Sequence, residues 1–435
     1  MRRRQFLQLL ATTNSPPNII LAMADDQGWG DTSYNGHHIL STPHLDEMAK
    51  TGIRFDRFYS GAPVCSPTRG SALTGRHPFR YGIFFANADT GTDAPSKYPL
   101  PARERTLAEF LKPLGYATAH FGKWHLGDFA GPTRSAPTDN GFDEFYSTTR
   151  KVRTVNPEAY WTQNGPVPAA DLDGDDSRIL MDAAIAFIEK SVQRRQPFFA
   201  VIWFHAPHEP VVATQRHRAP YTQYPGKPEN YYGAIASLDE QMGRLRETLR
   251  YLKVERNTML WYASDNGPEG DRLAPASPGT PGPFRGRKRS LFEGGIRVPA
   301  LLEWPARFPS PRVVRAAAST SDYLPTILAA LRQPLPKELD GINLLPILEG
   351  RKKLRESPLA FETIGDTRGS PKLAWVEDRW KLITSLDGTE ELLFDLDADP
   401  AESANLAASQ PRICNALRAK LIHWRASCAR SRQGL

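Results

Sequence analysis

Four apolar runs in this chain each end at residues whose types can do chemistry. "NIILAMA" (18–24) is followed by Asp25-Asp26, and "YATAHFG" (116–122) by Lys123-Trp124-His125. "PFFAVIWF" (197–204) leads to His205 and His208, and "TMLWYAS" (258–264) to Asp265-Asn266. Three aspartates and an amide oxygen are hard donors, which suit Ca²⁺ or Mg²⁺ better than Zn²⁺. The histidines are then left for proton transfer. Lysine and arginine beside them imply a substrate with concentrated negative charge. Singly, each ending has an ordinary explanation as a turn, a helix cap or a packed loop histidine. Four endings with complementary chemistry are not what solvated loops supply.

A fifth segment, "GAPVCSPTRGSALTGR" (61–76), holds a lone cysteine, Cys65, in a Pro-, Gly- and Ser-rich turn. The residues after it read as the first turn of a helix, with Arg69 on it. Pro63 and Pro67 predict that neither flank is a long regular element.

The elements that must position these residues alternate. "LDEMAKTG" (45–52), "TLAEFLKPLG" (106–115), "SRILMDAAIAFIEKS" (177–191) and "YGAIASLDEQMGRLRETLRYL" (232–252) have helical patterns, and apolar strands separate them. "IRFDRFYS" (53–60) reads as one strand. This order predicts an α/β fold, a mostly parallel sheet flanked by helices. Its C-terminal strand edge is where open sheets bind ligands. From about residue 355 the pattern becomes short strands with tight turns and a final helix near 410–426, a small antiparallel α+β subdomain. The boundary is placed at 350, giving a catalytic unit over 18–350 and a C-terminal unit over 351–435.

At 435 residues the chain can bury a large core, and its 40% hydrophobic and 24% charged fractions are those of a soluble globular protein. No apolar run approaches a membrane span, and no repeat marks a solenoid. The net charge of +7 fits general solubility or an anionic ligand. No nucleic-acid motif accompanies it, so nucleic acid is not an expected partner. Three cysteines make no disulfide framework. Cys414 and Cys428 are close enough in sequence to pair, which leaves Cys65 over. The opening "MRRRQFLQLLATTNSPPN" is similar to a truncated twin-arginine signal over 1–17, which points to bacterial export to the periplasm or beyond. "DLDGDDS" (171–177) lacks the glycine position of a calcium loop and reads as an exposed acidic loop capping the next helix.

"CSPTR" (65–69) is the C-x-P-x-R signature of the type I sulfatases, and the chain resembles that family over nearly its whole length. It is similar to bacterial arylsulfatases and N-acetylgalactosamine-sulfatases. "NIILAMADDQGWGD", "GKWHLG", "APHEP", "SDNG", "GRKRSLFEGGIRVPAL" and "LLFDLDADPAESANL" stand in family order around it. The resemblance implies an alkaline-phosphatase-like core. It implies that Cys65 is oxidised to Cα-formylglycine by a separate maturation enzyme, and that the aldehyde hydrates to a gem-diol. One hydroxyl attacks the sulfur of a sulfate ester and the alcohol leaves. The other hydroxyl is then deprotonated, and sulfate is eliminated to regenerate the aldehyde.

By motif match, Asp25, Asp26, Asp265 and Asn266 are the Ca²⁺ ligands, with an oxygen of the converted Cys65 beside the metal and Mg²⁺ as the alternative ion. Arg69 holds the formylglycine, Lys123 and Lys288 bind sulfate oxygens, His125 assists elimination, and His208 serves the leaving oxygen. His205 either lines the pocket or packs. The expected substrate is a sulfated carbohydrate attacked from its end. The alternatives are a phosphonate or phosphate monoesterase on the same scaffold, and a non-catalytic sulfated-glycan-binding protein if Cys65 stays a thiol. Segments 77–98, 150–175, 209–230 and 268–285 are expected around the pocket, with Tyr160, Trp161 and Tyr231 able either to stack on a sugar or to pack.

Overall fold

The computed structural model describes residues 15–86, 99–270, 278–364 and 372–434. Five strands form its centre: β1 (Asn18–Ala24), β2 (Ala117–Lys123), β3 (Glu144–Thr148), β4 (Phe198–Trp203) and β5 (Thr258–Ser264). They run parallel in the order β5-β1-β4-β2-β3. Successive side chains of a strand point to opposite faces. Ile19, Leu21 and Met23 therefore join Phe199, Val201 and Trp203 in one core, while Ile20, Ala22 and Ala24 join Phe198, Ala200 and Ile202 in the other. A strand buried on both faces needs no polar alternation, and so these read as continuous apolar runs.

Helices cover both faces. α1 (Cys65–Thr74) packs Ala72 and Leu73 on the first. α2 (Asp176–Gln193) and α3 (Lys227–Tyr251) pack Leu180, Phe187, Leu238 and Met242 on the second. The strands that flank these five are antiparallel to them: Ala300–Glu303 runs against β5, and Trp161–Thr162 against β3. The run 53–60 is not one strand. Ile53–Phe55 joins the large sheet, whereas Phe58–Tyr59 pairs with Ala318–Ser319 in a separate one. The break falls at Asp56-Arg57, where the Arg57 guanidinium donates to the Asp378 carbonyl at 2.9 Å.

Four strands, Leu359–Thr363, Lys372–Glu377, Trp380–Ser385 and Glu391–Asp395, form an antiparallel sheet in sequence order. One face meets Tyr59, Leu291 and Ile296; α4 (Pro411–Gln433) covers the other through Leu417 and Leu421. α4 runs past the predicted end near 426. Cys414 and Cys428 both lie on it, buried and free. About four helical turns separate them, roughly 20 Å, and a disulfide requires Cα atoms within about 7 Å. At the seam the fully buried Lys381 ammonium lies 2.8 Å from both Glu293 and Glu402. A buried charge is tolerated only when paired in this way.

Gly122 has φ of 90°, and a Cβ there would meet the Trp203 carbonyl oxygen at 2.0 Å. Gly122→Ala is expected to cost roughly 3 kcal/mol or more of stability. The urea midpoint measures this, and an unchanged midpoint would show that β2 and β4 can separate there without cost.

Candidate active site

The strand ends converge as the sequence predicts. Asp25 and Asp26 follow β1, Asp265 and Asn266 follow β5, and all four are buried. The ladder continues past the strands: Asp265 N donates to the Ala24 carbonyl and Asp26 N to Asp265 Oδ1, both at 3.1 Å. Asp26, His125 and Arg289 hold left-handed φ of 67°, 56° and 74°. Non-glycine residues in that region store strain and cluster at functional sites.

Each carboxylate meets a cation. Lys123 Nζ lies 2.6 Å from Asp25 Oδ2, and Lys288 Nζ 2.7 Å from Asp26. Arg69 donates through Nε and Nη2 to Asp265 Oδ2 at 3.2 and 2.7 Å, and through Nη1 to the Lys123 carbonyl at 2.8 Å. Burial pushes the Asp25 carboxyl up, but Lys123, His208, Arg69 and Lys288 together hold it well below the usual carboxylate range. Burial, then repulsion from Asp25, pushes Asp265 up to about 7. Burial opposes the charge of Lys288, yet Asp26 and its neighbours keep its pKa above the usual lysine value.

The histidines sit on the same edge. Burial, followed by Lys123 and Arg69, holds His125 well below the usual imidazole value. Burial, followed by Lys288, brings His208 down to about 4. His208 Nδ1 lies 2.5 Å from the Glu209 carbonyl, which can only accept. Nδ1 therefore carries the proton, and Nε2 faces Asp26 Oδ2 at 3.5 Å. His205 is a packed residue: its Nδ1 lies 3.0 Å from Asp176 and its Nε2 2.7 Å from Thr148 Oγ1.

Cys65 is not in an exposed turn. It is the first residue of α1 and is buried. Pro67 sits inside the first turn of the helix, where its missing N–H removes nothing. Thr68 Oγ1 donates to the Ala62 carbonyl and accepts from Ala62 N, and Ser66 Oγ donates to the His125 carbonyl. These bonds fix the loop before the helix. The Cys65 sulfur and one carboxylate oxygen each of Asp25 and Asp265 all lie within 4.8 Å of one another. Burial raises the Cys65 thiol pKa, and Lys123 and Lys288 oppose that rise.

Two other expectations change. In 171–177 only Asp171 and Asp173 are exposed; Asp175 and Asp176 are buried, Asp175 capping α2 and Asp176 accepting from Tyr160 Oη at 2.7 Å. Tyr160 and Tyr231 are buried with hydroxyls bound to Asp176 and Asp31, so neither offers a face for stacking; Trp161 is half-buried. Parts of the predicted lining, 87–98 and 271–277, lie outside the described residues. Glu269 was not singled out by the sequence. It binds the Arg289 guanidinium at 2.6 and 2.9 Å and lies 3.4 Å from Lys288 Nζ. Its only signal is an acid just after Asp265-Asn266, opposite a basic run.

Comparison with known proteins matches residues 17–333 to the sulfatase family model, and residues 284–427 to the model for the C-terminal part of N-sulphoglucosamine sulphohydrolase. Human N-acetylgalactosamine-6-sulfatase is 36% identical over 373 residues, 81% of this chain and 69% of that protein. Human arylsulfatase A is 31% identical over 459 residues, 93% of this chain and 86% of its own. The crystal structure of Ps i-CgsB superposes with a TM-score of 0.86 at 25% identity, covering 95% of this chain and 93% of that one. The same protein has been solved with k-i-k-neocarrahexaose.

A divalent cation fits the donor set. Asp25 Oδ1 and Asn266 Oδ1 are buried without a hydrogen-bond partner; Asn266 Nδ2 donates to Asp26 Oδ1 at 2.7 Å, and Asp25 lies within 4.8 Å of both Asp26 and Asp265. Hard oxygens so placed are the ligands such a cation takes. Calcium at about 100 times its dissociation constant is therefore expected to stabilise the fold by roughly 2.7 kcal/mol. Asp25→Asn and Asp265→Asn should each weaken that effect. A thermal midpoint indifferent to both calcium and chelator would argue against the metal site.

Proposed function

The chain belongs to the sulfatase family and hydrolyses sulfate esters; we propose that it does so through Cys65, converted to formylglycine, on a sulfated glycan. One observation carries the assignment. The Cys65 sulfur lies within 4.8 Å of a carboxylate oxygen of Asp25 and one of Asp265, and Lys123 Nζ lies 2.6 Å from the same Asp25, at the edge where β1, β2 and β5 end. The formylglycine, made by a separate maturation enzyme, supplies a hydrated aldehyde as nucleophile. A calcium ion, held by Asp25, Asp26, Asp265 and Asn266 beside the oxygen of the converted Cys65, would supply positive charge next to it.

The chain's own side chains do the rest. Arg69, fixed on Asp265 and on the Lys123 carbonyl, holds the nucleophile's oxygen. Lys123 and Lys288 bind sulfate oxygens, an electrostatic contribution of about 3–4 kcal/mol per donor. His125, whose Nδ1 is buried without a partner, takes the proton that starts elimination. His208, whose Nδ1 proton is donated to the Glu209 carbonyl, takes up the attacking hydroxyl's proton at Nε2 and passes it to the leaving oxygen. Among these groups Lys123 and Lys288 also neutralise Asp25 and Asp26, so sulfate binding redistributes their contacts rather than adding two free charges.

The glycan assignment is supported by the relatives, one of them named for N-acetylgalactosamine and one solved with an oligosaccharide. The burial of Cys65, 2% exposed, supports attack on a terminal residue, because the end of a chain enters a narrow recess more readily than an internal sugar does. The division at 350 between a catalytic and a C-terminal unit belongs to the same reading. So does export, carried by Arg3-Arg4; residues 1–14 lie outside the described ones. Among the described residues no helix is long and apolar enough to cross a membrane.

Mass spectrometry of the Cys65 peptide is expected to show an aldehyde, lighter than the thiol by about 18 Da. Cys65→Ala should abolish sulfate release; substantial residual activity would reject the nucleophile. On matched aryl esters, sulfate should turn over faster than phosphate, and the reverse order would favour a phosphomonoesterase. Ion chromatography of sulfate released from mono-, oligo- and polysaccharides tests the substrate. Release from aryl sulfates alone rejects the glycan, and internal cleavage of long chains rejects terminal attack.

A further inference from the structure

Between β3 and α2 the chain crosses the catalytic edge in a short arc, 149–154, pinned at both ends to the segments that carry the two proposed catalytic histidines. At the first end the Thr148 and Thr149 carbonyls accept from Trp124 N and His125 N at 2.9 and 3.1 Å. Thr148 Oγ1 donates to the Arg150 carbonyl at 2.6 Å and lies 2.7 Å from His205 Nε2. At the other end Thr154 Oγ1 donates to the Val212 carbonyl and accepts from Val212 N, at 2.6 and 2.8 Å. Val212 closes the loop that carries His208. The Thr154 carbonyl also accepts from Asp176 N at 3.1 Å. The arc is thus stapled between the segment that carries His125 and the one that carries His208.

Its middle, 150–153, carries Arg150, Lys151 and Arg153, all exposed. Glu158 lies 2.8 Å from Arg153, but with side chains 54% and 74% exposed this pair is weak. A site for one sulfate already has Lys123, Lys288 and Arg69 at its base and needs no cations at its rim. Cations on a pinned rim act on what else the substrate carries, by steering and by contact.

We infer that the 150–153 arc is a second anion subsite at the mouth of the cleft, taking a sulfate or carboxylate on the sugar next to the one being desulfated. The inference rests on the glycan reading above. It makes the preferred substrate a multiply charged chain rather than a singly sulfated sugar.

The test is the double variant Lys151→Gln/Arg153→Gln, neither residue being part of the catalytic machinery. Binding of a fluorescent chondroitin sulfate hexasaccharide is measured first, by anisotropy, on protein whose Cys65 is still a thiol. The variant is expected to bind about tenfold more weakly, the size of two exposed charge contacts, with a shallower dependence on salt. On matured protein, kcat/KM for that oligosaccharide should fall through KM. For an aryl sulfate with an uncharged aglycone it should change less than about twofold. Equal affinity of variant and parent, or an equal loss on both substrates, overturns the subsite. Should the matured protein release no sulfate at all, the glycan sulfatase reading fails, while the binding arm still decides the subsite.

Discussion

Three aspartates are buried together at one strand edge, and the rest of the site answers their mutual repulsion. Taking an ionised carboxylate out of water costs several kcal/mol even after relaxation. Asp25, Asp26 and Asp265 bear that cost side by side. Lys123, Lys288 and Arg69 offset it: Lys123 and Arg69 both lie against Asp25, Lys288 against Asp26, and Arg69 also against Asp265. The compensation is uneven: Asp25 is held well below the usual range while Asp265 is pushed up to about 7. Residual repulsion of that kind, with two bare oxygens on Asp25 and Asn266, is what a divalent cation relieves.

The same constraint places Cys65. Arg69 can neutralise Asp265 only if α1 begins against the strand edge, and Cys65 is the first residue of that helix. The Arg69 guanidinium also lies 5.1 Å from the Trp203 ring and bonds the Lys123 carbonyl. One side chain therefore ties α1 to β2, β4 and the loop after β5. The position of Cys65 is set less by its own contacts than by the charge four residues further along its helix.

The C-terminal sheet reaches the site through the loop that carries Lys288. Glu402 accepts from Glu293 N at 2.6 Å, its carbonyl accepts from Arg285, and Lys381 lies between Glu402 and Glu293. The 285–294 loop is thus closed from behind by buried ion pairs, and Lys288 is presented to Asp26 from its front. Glu269 adds a second hold by gripping Arg289 next to it. The small sheet is part of what fixes Lys288.

The sequence by itself determined the central strands, since residues buried on both faces must be apolar along their whole length, and the polar groups at their ends stand out against that background. It set Asp25, Asp26, Lys123, His125, His208, Asp265 and Asn266 at one edge for the same reason, while Cys65, Arg69 and Lys288 were legible only through the family's motifs. Tertiary structure decided what depends on distant partners. The run 53–60 splits because Arg57 reaches a carbonyl more than 300 residues away. His205 and Tyr160 are packing residues because Asp176 lies between them. Cys414 and Cys428 stay apart because one helix holds both. Glu269 joins the site only because two loops meet. Local pattern records whether a residue must be buried, but which charge it faces is settled only when the sheet brings the strand ends together.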